Sequence, residues 1–252
     1  MNHQKESKIF GKFPKIRPSM PKEIEEIYSD YYKTNRDGKT IASFFARKMD
    51  LWLHKNMAKD VTKIQNSKKA TLELGAGTLN QLPFELNCQP YDIVEPFTIL
   101  YKDSPLLSKI RNIYTDISEV PTDYVYDRIT SIGVLEHICN LPETVAKSGI
   151  LLSENGVFRA GIPSEGTLLW TLSWRLTTGL EFKIKHGLDY GLIMKHEHVN
   201  SAKEIKEVLE FFFRDVECKV FGLSRTISLY HFYVCSNPRK DRCREFIVQR
   251  NS

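Results

Sequence analysis

Three sets of residues in this chain have the types and spacings that do chemistry. The first is the run Ala70-Thr71-Leu72-Glu73-Leu74-Gly75-Ala76-Gly77-Thr78-Leu79-Asn80. It is mostly apolar up to two glycines one residue apart, where the backbone can take positive φ and a ligand can lie against it without meeting a Cβ. A loop of that kind at the end of a buried strand suits a nucleotide-type ligand. The second set is carboxylates downstream of it. Glu95 stands twenty residues beyond Gly75, the distance at which the next parallel strand brings an acid to a ribose at the same sheet edge. A carboxylate accepts from two vicinal hydroxyls at once. The third set is histidines, of which His137, His196 and His198 stand where chain direction changes. Imidazole titrates near neutrality, as a base for an oxygen or nitrogen nucleophile must.

The elements that position these residues alternate. A strand over 70–74 enters the glycine turn, which is read as opening a helix. A second strand over 91–95 ends at Pro96 and Phe97, and Phe97 can pack on a purine face. A third over 111–115 is followed by Asp116 and Ile117, where Asp116 can also be the N-cap of a helix beginning near Ser118. The fourth unit, 126–138, is an Asp preceding a strand that runs to the turn Leu135-Glu136-His137, and it is followed by an amphipathic helix and a fifth strand over 155–163. Ser201 and Glu204 form a capping box for the next helix, and two strands over 217–221 and 228–235 close the pattern. Ahead of the first strand, residues 22–32 and 40–59 read as helices. The second carries Ile41, Phe44, Phe45, Met49, Trp52, Leu53 and Met57 mostly at spacings of three and four, an apolar stripe.

With Glu73 two residues before Gly75, the first run resembles motif I of class I S-adenosylmethionine-dependent methyltransferases. It departs from that pattern at Leu79, which stands where the last glycine usually is. The dinucleotide fingerprint fits less well, because its third glycine falls on Asn80. The resemblance spans residues 70–163, and the small-molecule or sugar branch of the family fits best. It implies an α/β fold, a doubly wound, seven-stranded, mostly parallel sheet, in one domain over 1–252, with a helical extension (1–60) and an insertion after the fifth strand (164–198). It implies S-adenosyl-L-methionine as cofactor, held by Glu73, Gly75, Ala76, Gly77, Glu95, Pro96, Phe97, Asp116, Ile117 and Gly133. In the family an acid at the position of Asp116 accepts from the adenine amino group, and the next apolar residue packs on the ring. The aromatic and apolar insertion, with Trp170 and Trp174 four residues apart, leaves the ligand-binding edge and is expected to cover the acceptor. Tyr28, Tyr31 and Tyr32 are candidates for a lid.

The expected reaction is methyl transfer to a small-molecule or sugar hydroxyl. His137 is the first candidate for base, His198 and His196 follow, and Glu165 is the acid that could replace them. C-methylation of a quinone-like precursor and non-catalytic nucleotide binding are the alternatives. The net charge of +5 sits at the ends: residues 1–22 carry +5 and 238–252 carry +3, leaving −3 between. The termini therefore read as solvated tails, and nucleic acid is not the expected partner. There is no apolar run of membrane-spanning length, and the polar, basic residues 1–17 have no apolar stretch behind them, so a secretory signal is not expected. Five scattered cysteines suit reduced thiols in a cytoplasm. In His196-Glu197-His198 the neighbouring side chains diverge, and two ligands without a third make a poor metal site, so no metal is expected.

Overall fold

The computed structural model describes residues 9–25, 27, 41–62, 68–85 and 88–251, with the backbone alone for 41–47 and 251. The proposed lid tyrosines 28, 31 and 32 lie outside the described residues, as do the side chains of Ile41, Phe44 and Phe45. One seven-stranded sheet organises the chain. Its strands are β1 (Thr71–Leu74), β2 (Tyr91–Val94), β3 (Ile113–Tyr114), β4 (Tyr126–Ile132), β5 (Leu152–Pro163), β6 (Phe213–Gly222) and β7 (Ser228–Pro238). Their order is β3-β2-β1-β4-β5-β7-β6. The first five are parallel, and β7 runs antiparallel to both β5 and β6. Connections reverse direction between β1 and β4, so the loops after β1 and β4 open on opposite sides of one crevice at the carboxyl edge, where such sheets take ligands.

Side chains alternate between the two faces. On one, Leu72, Leu74, Ile129, Phe158 and Ala160 pack against α2 (Leu141–Leu151), α6 (Ala202–Phe212) and α7 (Lys240–Asn251). On the other, Tyr91 and Ile93 meet Ala58 and Val61, just beyond α1 (Ile41–Met57), while Leu53 and Met57 of α1 cover Phe232 of β7. The helix α1 therefore roofs this second face of the sheet.

Three expectations are corrected. The glycine turn does not open a helix: among the described residues, β1 to β4 are joined only by loops and 3₁₀ turns. The segment after the glycines is used instead to bury Leu79, Leu82, Gln81 and Glu85 beneath the loop. The basic N-terminal lead is not a solvated tail. Phe10 and Phe13 are buried in the main core, and Lys15 reaches Val199 O at 2.7 Å and Glu204 at 2.8 Å. The C-terminal tail is the helix α7. Cys243, Phe246 and Ile247 share its inner face, and Gly149 of α2 lets it approach so closely that an added Cβ would come 2.8 Å from Cys243 Sγ. Charged residues at the other positions of α7 hide this three-four spacing in the sequence.

The insertion after β5 forms α3 (Leu168–Trp174), a π-helical turn (Arg175–Gly179), α4 (Leu180–His186) and α5 (Tyr190–Glu197). Leu168, Leu172, Leu176, Leu180 and Ile184, four residues apart, are all exposed along it. Among the described residues no helix is long and apolar enough to cross a membrane.

Candidate active site

A cleft of about 940 Å³ runs along the carboxyl edge of β1, β2 and β4 and up to α1 and α5. That is room for a nucleoside-sized ligand together with a small second molecule. Its first wall is the glycine loop. Gly75 has φ +67° and Gly77 φ +52°, both in the region that favours glycine. Their reasons differ. A Cβ on Gly75 would lie 2.2 Å from Val134 Cγ2, so this glycine lets the loops after β1 and β4 touch. A Cβ on Gly77 would meet nothing within 4 Å, so its bare backbone faces open cleft. Leu79, where the sequence pattern calls for glycine, also has positive φ, at 63°. That conformation costs a leucine on the order of 1–2 kcal/mol. Complete burial of its side chain beside Leu82 and Ile93 contributes about 1.5–3 kcal/mol and outweighs it.

Glu95 ends β2, as its spacing predicted, and is buried. Its Oε2 accepts from Gly77 N at 2.8 Å and its Oε1 from Phe97 N at 2.9 Å. The carboxylate thus ties the glycine loop to the neighbouring strand. Phe97 is 65% exposed at the cleft's edge beside Pro96. Asp116 borders the cleft and also caps the 3₁₀ turn Ile117–Glu119, its Oδ1 accepting from Ser118 N at 2.8 Å and Ser118 Oγ at 2.5 Å. Ile117 is buried beside it. Gly133, φ +64°, turns the chain after β4. All ten residues proposed to hold the cofactor border this one cleft.

Glu73 turns away from the loop into the face covered by α1. There it accepts from Tyr91 Oη at 2.8 Å, and burial pushes its pKa up to about 8. It belongs to a buried polar layer beneath the cleft floor. Arg128 of β4, fully buried, donates to both oxygens of Glu85 at 2.7 and 2.8 Å and to Asp60 at 3.0 Å. Gln81 donates to Glu85 at 2.5 Å and pairs with His54 Nδ1 at 2.7 Å. Burial pulls the His54 pKa down, but hydrogen bonds with Asp50 and Gln81 outweigh it and the net direction is up.

The second wall is built from histidines. His137 Nδ1 lies 2.9 Å from Glu197 O and 3.3 Å from Glu197 Oε2, and its ring meets the His198 ring edge-on at 5.0 Å. Burial disfavours the charged imidazolium of His137, but the Glu197 hydrogen bond and the charge of Glu136 prevail, so its pKa is raised. His198 Nδ1 lies 2.9 Å from Glu165 Oε2, which also accepts from Trp170 Nε1. Asn200 pins the loop after β4 through Leu135 O at 2.8 Å and Ile138 O at 2.7 Å. Arg17 ties the same loop to α5, donating to His137 O at 2.7 Å and His196 O at 3.1 Å.

Of the proposed bases, His137 and His198 stand together with Glu165 behind His198. His196 borders the cleft but its Nδ1 faces Pro18 O at 2.7 Å. Within the insertion it is Tyr190, Ile193, Met194 and residues 196–198 that line the cleft. Trp170 reaches it through His198, over which its indole stacks at 6.3 Å. Trp174 packs on Tyr190 instead. Sequence reasoning missed Arg17, Asp50 and His54, which lie far from the glycine loop in the chain. It also passed over Glu136, although an acid beside His137 at a strand end was a readable signal.

The strand order, the antiparallel seventh strand and the cleft at the switch point define the class I methyltransferase fold. No protein-family model matches this sequence, and no curated protein does either. Solved structures are similar at low identity. The plantazolicin methyltransferase BpumL in complex with SAH shares 14% identity over 92% of this chain and 98% of its own, with a TM-score of 0.55. The N-methyltransferase NodS from Bradyrhizobium japonicum WM9 shares 14% over 77% of this chain and 97% of its own, TM-score 0.50. The CurJ carbon methyltransferase shares 20% over 73% of this chain with a TM-score of 0.50, and this chain spans 55% of its length.

Proposed function

We propose that the chain is an S-adenosylmethionine-dependent methyltransferase acting on a hydroxyl of a small molecule or sugar. The observation that carries this reading is the convergence of bare Gly77, Glu95 and Asp116, from the ends of three successive parallel strands, on one cleft. Those residues fit the cofactor. Gly77 leaves room for close approach, Glu95 retains acceptor capacity for ribose hydroxyls beyond its two backbone bonds, and Asp116 and Ile117 suit an adenine. When bound, S-adenosylmethionine supplies a methyl carbon that takes a lone pair from the acceptor oxygen while its bond to sulfur breaks, leaving S-adenosylhomocysteine.

The chain's own residues supply alignment and a place for the proton. His137 and His198 flank the acceptor end, and either imidazole nitrogen facing the cleft can take the hydroxyl proton. Met194, Ile193 and Tyr190 exclude water around it. The similar folds include proteins named as a carbon and a nitrogen methyltransferase, so the acceptor atom is a property of the cleft and not of the fold. A pair of imidazoles suits an oxygen acceptor better than a carbon that needs no base. The test is titration with S-adenosylmethionine followed by detection of S-adenosylhomocysteine with a panel of phenols and sugars. Glu95→Ala should weaken cofactor binding by about 1–3 kcal/mol. No binding by the folded chain rejects the reading, and binding without turnover on any hydroxyl favours a non-catalytic binder.

A further inference from the structure

Two loops bring one carboxylate and two imidazoles to a point on the second wall. Glu136 and His137 follow β4, His198 follows α5, and one ligand atom from each lies within 4.8 Å of the others. The hydrogens on the rings are set by their outer partners. His137 Nδ1 faces the carbonyl oxygen of Glu197 at 2.9 Å. A carbonyl only accepts, so Nδ1 carries a proton, and in the neutral ring the lone pair is the one on Nε2. His198 Nδ1 faces a Glu165 carboxylate oxygen at 2.9 Å, with the same result. Glu136 is 3% exposed, and its Oε2 has no hydrogen-bond partner among the described residues. A buried carboxylate oxygen left in this state, beside two bare imidazole nitrogens, is a set of lone pairs without a cation.

We infer that Glu136, His137 and His198 together bind one divalent transition-metal cation. Small side-chain rotations bring each donor to the roughly 2.0–2.2 Å such ions require. An imidazole ring whose far nitrogen is held by a carboxylate or carbonyl is the usual form of a metal-bound histidine, and both rings have it. Two imidazoles and one carboxylate suit zinc, manganese, cobalt or iron and not magnesium or calcium. Three protein ligands leave coordination positions open. His137 and His198 border the cleft and Glu136 lies behind them, so the open positions face the acceptor. The His196-Glu197-His198 triplet is not the site: of its three residues only His198 takes part. With the cation bound both Nε2 lone pairs are engaged, so neither ring then serves as base; an acceptor hydroxyl at the open position would instead be acidified by the ion and lose its proton to water. That role rests on the methyl-transfer reading, whereas the cation itself does not.

The test uses the full chain, stripped with EDTA, dialysed, and titrated with Co²⁺ alone, without cofactor or acceptor. Visible absorption and calorimetry should report one saturable ion per chain. Glu136→Gln and His198→Ala should each weaken that binding at least about tenfold, and His196→Ala should leave it unchanged. Thermal unfolding verifies that each variant is folded; His198 is partly exposed, so its variant serves if Glu136→Gln does not fold. Absence of saturable binding, or binding indifferent to both substitutions, overturns the inference. S-adenosylmethionine titration of the stripped chain is read separately. Metal binding without cofactor binding rejects the methyl-transfer reading and leaves the cation site standing.

Discussion

The two walls of the cleft solve opposite problems. On the glycine-loop wall each carboxylate is already anchored: Glu95 holds Gly77 N and Phe97 N, Asp116 holds Ser118, and Glu85 is gripped by Arg128 from below. On the histidine wall the outward nitrogens are held while the inward lone pairs, and one oxygen of Glu136, are not. The first wall is shaped before any ligand arrives, which lowers the ordering cost of binding. The second stores unpaired lone pairs at the end proposed for the methyl acceptor, where affinity for a proton or a cation is useful. Rigidity on one side and reactivity on the other is a division that substitutions can break.

The largest effect is expected beneath the first wall. Arg128→Met leaves Glu85 and Asp60 without their shared guanidinium in a buried layer, and removing one partner from such a group costs about 3–5 kcal/mol. Urea unfolding measures it. A loss under about 1 kcal/mol would show that the layer is not what shapes the loop. Glu73 in the same layer gives the pH dependence. Its carboxyl is raised from 4.5 to about 8 by burial, so between these values the folded chain keeps a proton that the unfolded chain releases. Stability therefore falls as pH rises through that window and levels off above it, by up to about 1.4 kcal/mol for each unit over which the two states differ. Glu73→Gln should flatten the dependence. Equal slopes for the two proteins from pH 5 to 8 would remove Glu73 from the account.

The two glycines separate shape from ligand contact. Gly75→Ala adds both positive-φ strain and a collision with Val134, and should cost about 2–4 kcal/mol of stability. Gly77→Ala meets no atom, so only strain of about 1 kcal/mol is expected, while its methyl group enters the space proposed for the cofactor. Titration should show weakened S-adenosylmethionine binding by the folded Gly77→Ala protein. If affinity is unchanged, the ligand does not approach at Gly77.

The first wall was far more legible in the sequence than the second. Gly75, Glu95 and Asp116 are fixed by strand periodicity and by the length of a crossover, both local properties of the chain. The capping box at Ser201 and Glu204 was readable for the same reason, since it is complete within four residues. The second wall needs Glu136 and His137 to meet His198, some sixty residues on, through Arg17 and Asn200, and no local spacing encodes that. Charge patterning misled at both termini. The pair Ile9-Phe10, Phe13 and Cys243 are short apolar interruptions among basic residues, and only the shape of the core decides that Phe10, Phe13 and Cys243 are inside. The missing helix after Gly77 has the same origin: Gln81 and Glu85 look like ordinary helix residues until Arg128 arrives from β4.

Asp116 gives the finest division between structure and binding. Its Oδ1 is taken by Ser118 N and Ser118 Oγ, so it is a turn cap whatever else it does. An alanine would remove the cap and any ligand contact together. Asparagine separates them, because as an N-cap it ranks with aspartate and its own Oδ1 can hold Ser118. What asparagine cannot do is offer a second acceptor: its remaining group is an NH₂ that donates, and an adenine amino group also donates. Asp116→Asn should therefore leave the unfolding midpoint unchanged and weaken S-adenosylmethionine binding by about 1–1.5 kcal/mol, the scale of one hydrogen bond. Calorimetric titration of the folded variant reads that difference. If stability falls and affinity holds, Asp116 serves the turn alone, and the adenine must be held by Ile117 and the backbone beside it.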